Sequence, residues 1–307
     1  MMAAARNVVA SVLGRLKNEA KAQGVPFNQV LQFYAMERFL ARLSRSAHVD
    51  GVLLKGALLL KTVGIPNARP TMDIDLLRQG SADRGSLIAL VRDCALIEDV
   101  SDGVTFDPDR MVAEDIKKDA DYQGTRVQIP ARMDNVRLSV QIDFGVGDIV
   151  FPRPRLIDYP VFLDQAPLRL RAYPIETAIA EKFQAMVDRD QANSRMKDFY
   201  DIWVCSRHLD FEGSVLAKSI AATFERRATP LPMDTPTAFT ADFFAARTHQ
   251  LQWQAFARRI GETDLAARFP EIVAAVADFI MPVAASPATD TPFRSRWPAG
   301  GPWSEAA

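Results

Sequence analysis

Between residues 27 and 46, in "FNQVLQFYAMERFLARLSRS", the apolar residues Val30, Leu31, Tyr34, Phe39 and Leu43 recur at helical spacing. The spacing predicts an amphipathic helix whose other face carries Glu37, Arg38, Arg42 and Arg45. "VLLKGALLLKTVG", residues 52 to 64, reads as a short strand that stops at Gly56 and opens an apolar helix. In "SADRGSLIALVRDCALI" the apolar positions return every three to four residues behind Ser81, the expected N-cap. From about residue 103 the period shortens to two. "TRVQIPARM" and "VRLSVQIDFGVGD" alternate apolar and polar residues on either side of Asp134 and Asn135, which predicts an antiparallel hairpin.

The proline-rich "FPRPRLIDYP" marks a break near residue 160. Beyond it "IETAIAEKFQAMVDR", "SRMKDFYDIWVCSRHL", "FEGSVLAKSIAATFERR" and "EIVAAVADFI" read as helices. The last 26 residues, from Pro282, hold five prolines and no usable period, so a disordered or loosely packed tail is expected. The fold class expected is therefore α/β (α+β). A mixed-sheet domain with N-terminal helices fills residues 1–160, a helical domain fills 161–281, and a tail covers 282–307.

One stretch breaks the pattern. In "ARPTMDIDLL" two aspartates stand at i and i+2 of an otherwise apolar strand, so Asp73 and Asp75 share a face while Ile74 and Leu76 take the other. Two like charges held this close repel, and a divalent cation is the usual compensation. By the same alternation Asp143, in "VQIDFGVGD", is a third strand carboxylate. Three carboxylates suit two magnesium ions against a nucleoside triphosphate, one activating an attacking hydroxyl and the other neutralising departing pyrophosphate. The glycine turn at Lys55 and Gly56, opening a helix seventeen residues before Asp73, is a candidate triphosphate contact. Thr71, two residues before Asp73, belongs on the carboxylates' face as a nucleotide contact or a phosphoacceptor.

Composition narrows the partners. A net charge of −1 over 307 residues excludes a globally basic nucleic-acid binder, so any nucleic acid must meet a local patch. Arg38, Arg42, Arg226, Arg227, Arg258 and Arg259 are candidates for backbone contacts. His48, His208 and His249 are scattered, without zinc spacing, and Cys94 and Cys205 are expected to be buried free thiols. No apolar run is long enough to span a bilayer, so no membrane partner and a cytoplasmic location are expected.

Glycine turn, helix and D-x-D strand follow in the order of the polymerase β-like nucleotidyltransferases. More narrowly, "LLKGALLLKTVGIPNARPTMDIDLL", "VQIDFGVGD", "YPIETAIAEKFQAMV" and "NSRMKDFYDIW" together resemble the AbiEii/AbiGii family of nucleotidyltransferase toxins of type IV toxin–antitoxin operons. Many relatives carry two small residues at the turn, where this chain has Gly56 and Ala57, and Ala57 brings no hydroxyl. The resemblance implies that the first domain is a nucleotidyltransferase core and the second closes its cleft. Asp73 and Asp75 would bind metal, Asp143 would be a third metal or base carboxylate, Lys182 would hold the triphosphate, and Asp198 would take part in activity. It further implies transfer of a nucleoside monophosphate from an NTP, most readily to the 3′ end of tRNA, blocking translation, and a cognate antitoxin from the same operon. The alternatives are a protein or small-molecule acceptor, such as an aminoglycoside, and a nucleotide-binding regulator without turnover.

Overall fold

The computed structural model describes residues 2–65, 69–119, 122–163, 165–286 and 293–305. They divide into two compact units. The first comprises residues 1–64, 71–147 and 155–172, and the second residues 65–70, 148–154 and 173–307.

The first unit begins with α1 (Met2–Gln23) and α2 (Phe27–Leu43), then β1 (Val52–Lys55), α3 (Ala57–Leu60), β2 (Asp73–Arg78) and α4 (Arg84–Ala95). It continues through β3 (Thr105–Phe106), β4 (Val112–Asp119), β5 (Tyr122–Met133), β6 (Val136–Val146), β7 (Arg155–Tyr159) and β8 (Leu168–Ala172). Among the described residues these eight strands form one sheet in the order β3-β5-β6-β2-β1-β8-β7, with β4 also on β5. β2 runs parallel to β6, and β1 is antiparallel to β2 and parallel to β8, so the sheet is mixed. Period-two alternation explains its core. Ile74 and Leu76 of β2, Val127 and Ile129 of β5, and Val140, Ile142 and Phe144 of β6 are all buried. The hairpin forms as expected, with Met133 opposite Val136 and Asp134 in the left-handed region at φ 50°.

Four expectations need correction. The polar face of α2 is not solvated: Glu37, Arg38 and Arg42 are buried, because Asp102, Val104, Phe162 and Gln165 lie over it. Arg42 Nη1 donates to Asp102 at 2.6 Å, Arg38 donates to Gln165 and Glu37, and Phe162 N–H donates to Glu37 at 2.8 Å. Arg38 and Arg42 are therefore withdrawn as nucleic-acid contacts. The N-cap of α4 is Asp83, whose carboxylate accepts the Ser86 N–H at 3.0 Å, while Ser81 hydrogen-bonds Asp83 itself. The sheet also continues past residue 160, because β7 and β8 pair with each other and β8 pairs with β1.

The fourth correction concerns the tail, in the second unit. That unit holds α5 (Ile175–Arg189), α6 (Met196–His208), β9 (Phe211–Glu212), α7 (Gly213–Arg226), α8 (Ala241–Phe244), α9 (Arg247–Ile260), α10 (Phe269–Ala285) and β10 (Arg296–Trp297). Its core is aromatic, with Phe199 edge-on to Phe269 at 5.5 Å and Trp253 stacked on Phe269 at 4.9 Å. Helix α10 runs through Pro282 because Phe279, Ile280 and Val283 keep its apolar face buried. β10 then pairs with β9, Trp297 Nε1–H donates to Ser206 O at 2.7 Å, and Trp303 stacks on Phe279 at 5.7 Å. The tail from residue 293 to 305 is packed, anchored by its tryptophans; residues 287–292 and 306–307 of the expected loose tail lie outside the described residues. Cys94 and Cys205 are buried free thiols. Among the described residues no helix is long and apolar enough to cross a membrane.

Candidate active site

Register builds the first cluster. Because β2 and β6 run parallel and in step, Asp75 lies directly opposite Asp143, and Asp73 lies opposite Gln141. Residues paired across strands share a face. One row therefore crosses five strands: Lys55 on β1, Asp75 on β2, Asp143 on β6, Arg126 on β5 and Glu114 on β4. Asp73, Asp75 and Asp143 each offer an oxygen within 4.8 Å of the other two.

Asp143 carries a cation of the protein. Arg126 grips Asp143 with both prongs, Nε to Oδ1 and Nη2 to Oδ2, each at 2.9 Å. That hydrogen bond, outweighing partial desolvation, raises the Arg126 pKa above its ordinary value. Asp143 is 4% exposed, because β6 lies inside the sheet. Asp73 accepts a hydrogen bond from the Thr71 hydroxyl. Three convergent carboxylates with one guanidinium fit a hard divalent cation, whose preferred donors are carboxylate oxygens.

Gly56 has a clear steric reason. Its φ is 70°, and a Cβ placed there would meet Asp75 Oδ2 at 2.0 Å. A side chain at 56 would push the carboxylate out of the cluster. The helix that follows, α3, has four residues before it tightens into a 3-10 turn, which is too short for a strong dipole. The glycine turn thus serves the carboxylate directly.

The second unit contains a different arrangement. Lys182 on α5 donates to Asp198 Oδ1 at 3.1 Å and to Asp201 Oδ2 at 2.7 Å. Arg69 clamps Asp201 at 2.7 and 2.9 Å, and Arg195 donates from Nε to Asp198. Asp198 and Asp201 are 0% exposed. Burial by itself would raise their carboxyls, but Lys182 with Arg195 at Asp198, and Lys182 with Arg69 at Asp201, hold both well below the usual range. Burial likewise disfavours the Lys182 ammonium, and the two aspartates reverse this and raise its pKa. Among the described residues Lys197, four before Asp201 on α6, makes no ion pair with it, since Lys182 and Arg69 occupy that carboxylate.

The family model for the nucleotidyl transferase AbiEii toxin of type IV toxin–antitoxin systems matches residues 38–275. The chain belongs to the AbiEii nucleotidyltransferase toxin family. Among solved structures it is similar to MenT4, a nucleotidyltransferase toxin from Mycobacterium tuberculosis H37Rv, at 16% identity and a TM-score of 0.55, covering 90% of this chain and 93% of that one. It is also similar to JHP933 from Helicobacter pylori, at 14% identity and a TM-score of 0.50, covering 85% and 97%. At such identities the likeness shows a shared fold. No curated protein matches the chain in sequence.

As an AbiEii family member the protein is a nucleotidyltransferase of the type IV toxin class. Its sequence-derived site residues fall into two groups. Lys55, Gly56, Thr71, Asp73, Asp75 and Asp143 are in the first unit, and Lys182 and Asp198 are in the second. Sequence reasoning missed Arg126, although the hairpin contained the signal. With a two-residue turn pairing Met133 with Val136, the same register puts residue 126 opposite 143. Arg69 carried no such signal, since its partner Asp201 is 132 residues away.

Proposed function

We propose that this AbiEii toxin transfers a nucleoside monophosphate from an NTP to an acceptor hydroxyl, most readily at the 3′ end of tRNA, and so blocks translation. The hydroxyl oxygen bonds to the α-phosphorus as the bond from that phosphorus to pyrophosphate breaks. The hydroxyl proton leaves to a neighbouring carboxylate or water. The observation that carries this reading is the convergence of Asp73, Asp75 and Asp143 within 4.8 Å on one sheet face.

Those three residues would hold magnesium, which when bound neutralises charge on the triphosphate and activates the attacking hydroxyl. Lys182 supplies an ammonium to the triphosphate, a compact charge suited to phosphate oxygens. Asp198 and Asp201 act through Lys182, fixing its ammonium and keeping it protonated. Lys55 and Thr71 are contacts for the nucleotide, and Gly56 keeps the space that Asp75 needs. The family implies a cognate antitoxin as partner, and the cytoplasm, where tRNA is charged, is the place of action.

The test incubates purified protein with magnesium, each labelled NTP in turn, and total RNA. Label entering tRNA with the wild type and not with Asp73→Ala is the expected result. Label entering no RNA from any NTP would sink the tRNA assignment.

A further inference from the structure

The hairpin of β5 and β6 has one buried face and one solvent-facing face, and the second leads away from the carboxylates. Starting at the pair Arg126 and Asp143, its successive rows are Gln128 opposite Gln141, Pro130 opposite Ser139, and Arg132 opposite Arg137. Gln128, Arg132, Arg137 and Ser139 are exposed, while Val127, Ile129, Ala131 and Met133 point to the core. From Asp143 to Arg137 is six residues of strand, on the order of 20 Å at about 3.4 Å per residue.

Three features make this face more than a solvated surface. Beyond Asp143 neither strand places a carboxylate on it, so its charge is wholly positive. Arg132 and Arg137 stand directly opposite each other, a like-charge pairing that costs stability, and neither makes an ion pair among the described residues. Arg126 is held by Asp143 and lies 3.8 Å from the exposed Glu114, so a cation taking the Asp143 carboxylate would leave the Nε and Nη2 prongs of its guanidinium available at the inner end of the same face.

We infer that this face is the acceptor track: a single-stranded RNA 3′ end lies along it, its phosphates on Arg132, Arg137 and Arg126, its terminal hydroxyl at the carboxylates. The inference rests on the nucleotidyl-transfer reading and specifies its acceptor. Guanidinium groups bind phosphodiesters bidentately, and the amides of Gln128 and Gln141 between them offer hydrogen bonds to sugar hydroxyls and base edges. Lys55 flanks Asp75 on the β1 side and Arg126 flanks Asp143 on the β5 side. With the triphosphate on the Lys55 side, in-line displacement brings the attacking hydroxyl from the Arg126 side. A polycationic acceptor of the aminoglycoside kind is repelled by this face.

The test uses the full chain and a fluorescent single-stranded oligoribonucleotide with a free 3′ hydroxyl. Binding is read by anisotropy across a salt series, alongside steady-state transfer kinetics. Arg132→Gln with Arg137→Gln removes two phosphate contacts and relieves the like-charge pair, so folding is not weakened. Its Kd rises about tenfold near 0.1 M salt, and its salt slope becomes shallower by about 1.4, at about 0.7 per phosphate on single strands. The acceptor KM rises in parallel while the NTP KM holds. Arg155→Gln, at an exposed position on β7, behaves as wild type. If label enters RNA but the double variant keeps the wild-type Kd, slope and acceptor KM, the track is wrong and the transfer reading stands. If the wild type binds the oligonucleotide through these arginines yet labels no RNA, the transfer reading fails and the track stands. An oligonucleotide that the wild type does not bind overturns the track outright.

Discussion

The protein concentrates acidic side chains in two places and treats them in opposite ways. In the first unit three aspartates converge within 4.8 Å, and Arg126 pairs with Asp143. In the second unit two aspartates, 0% exposed, share Lys182 and each holds an arginine as well. The first cluster is left negative and demands a cation from outside. The second is compensated within itself and carries a surplus of positive charge. The folding cost of the two clusters differs. Repulsion in the first is relieved only in part, by Arg126, until a cation arrives, whereas breaking the second leaves a buried charge without its partner.

The largest expected effect tests the first cluster. Asp73→Ala and Asp75→Ala should lower nucleotidyl transfer by of order 10³-fold or more, as when a group that manages phosphoryl-transfer charge is removed. Both should leave the thermal midpoint unchanged or raised in metal-free buffer, because a repulsion is deleted. Asp201→Ala should do the reverse. It removes both carboxylate bonds of the half-buried Arg69 fork and one bond of the Lys182 ammonium, and should cost about 3–5 kcal/mol in guanidinium unfolding. Equal stability losses in the two clusters would erase the contrast.

Legibility followed the same division. The first cluster was readable because period-two alternation puts Asp73 and Asp75 on one face whatever the rest of the fold does. The hairpin turn at Asp134 and Asn135 fixed the register of β5 against β6. Helix α5 matched its expected bounds because its apolar spacing is regular. The second cluster could not be completed from sequence, since Arg69 and Asp201 meet across 132 residues and nothing local marks them as partners. The burial of Arg38 and Arg42 escaped for a related reason: a charged helix face looks solvated until Asp102 and Gln165 are folded onto it. The tail was misread because its order comes from two tryptophans rather than from a period.

Protonation offers a finer probe. Asp198 and Asp201 have carboxyls held well below the ordinary range, so their stabilisation is complete above about pH 4 and is lost as pH falls through their still lower folded values. Glu37, buried on α2, behaves in the opposite sense. Burial pushes its carboxyl from 4.5 up to about 7, against the pull of Arg38, the Phe162 N–H and Lys61. The folded state then binds the extra proton between those values, so stability is fully present below 4.5 and declines as pH rises through about 7. The integrated loss is on the order of 3 kcal/mol at about 1.4 kcal/mol per unit. Denaturant unfolding across this window should slope downward in the wild type and be flat in Glu37→Gln. A wild-type curve that is already flat would show that Arg38 keeps Glu37 ionised.

The smallest expected effect sharpens the comparison most, because it touches the acidic cluster without removing an acid. Gly56→Ala places a methyl where Asp75 Oδ2 now lies, at 2.0 Å, on a backbone whose φ of 70° favours glycine. The left-handed strain alone costs roughly 1–2 kcal/mol, and the carboxylate must rotate away or the turn must shift. If Asp75 moves, Mn2+ affinity measured by electron paramagnetic resonance falls while the second unit's pH response is untouched. If the turn moves instead, metal affinity survives and only the unfolding midpoint drops. The first outcome makes Gly56 a spacer for the metal carboxylate, and the second reduces it to a backbone requirement of the β1 turn. Loss of metal affinity with a midpoint lowered only by the left-handed strain would show that the carboxylate yields more easily than the backbone.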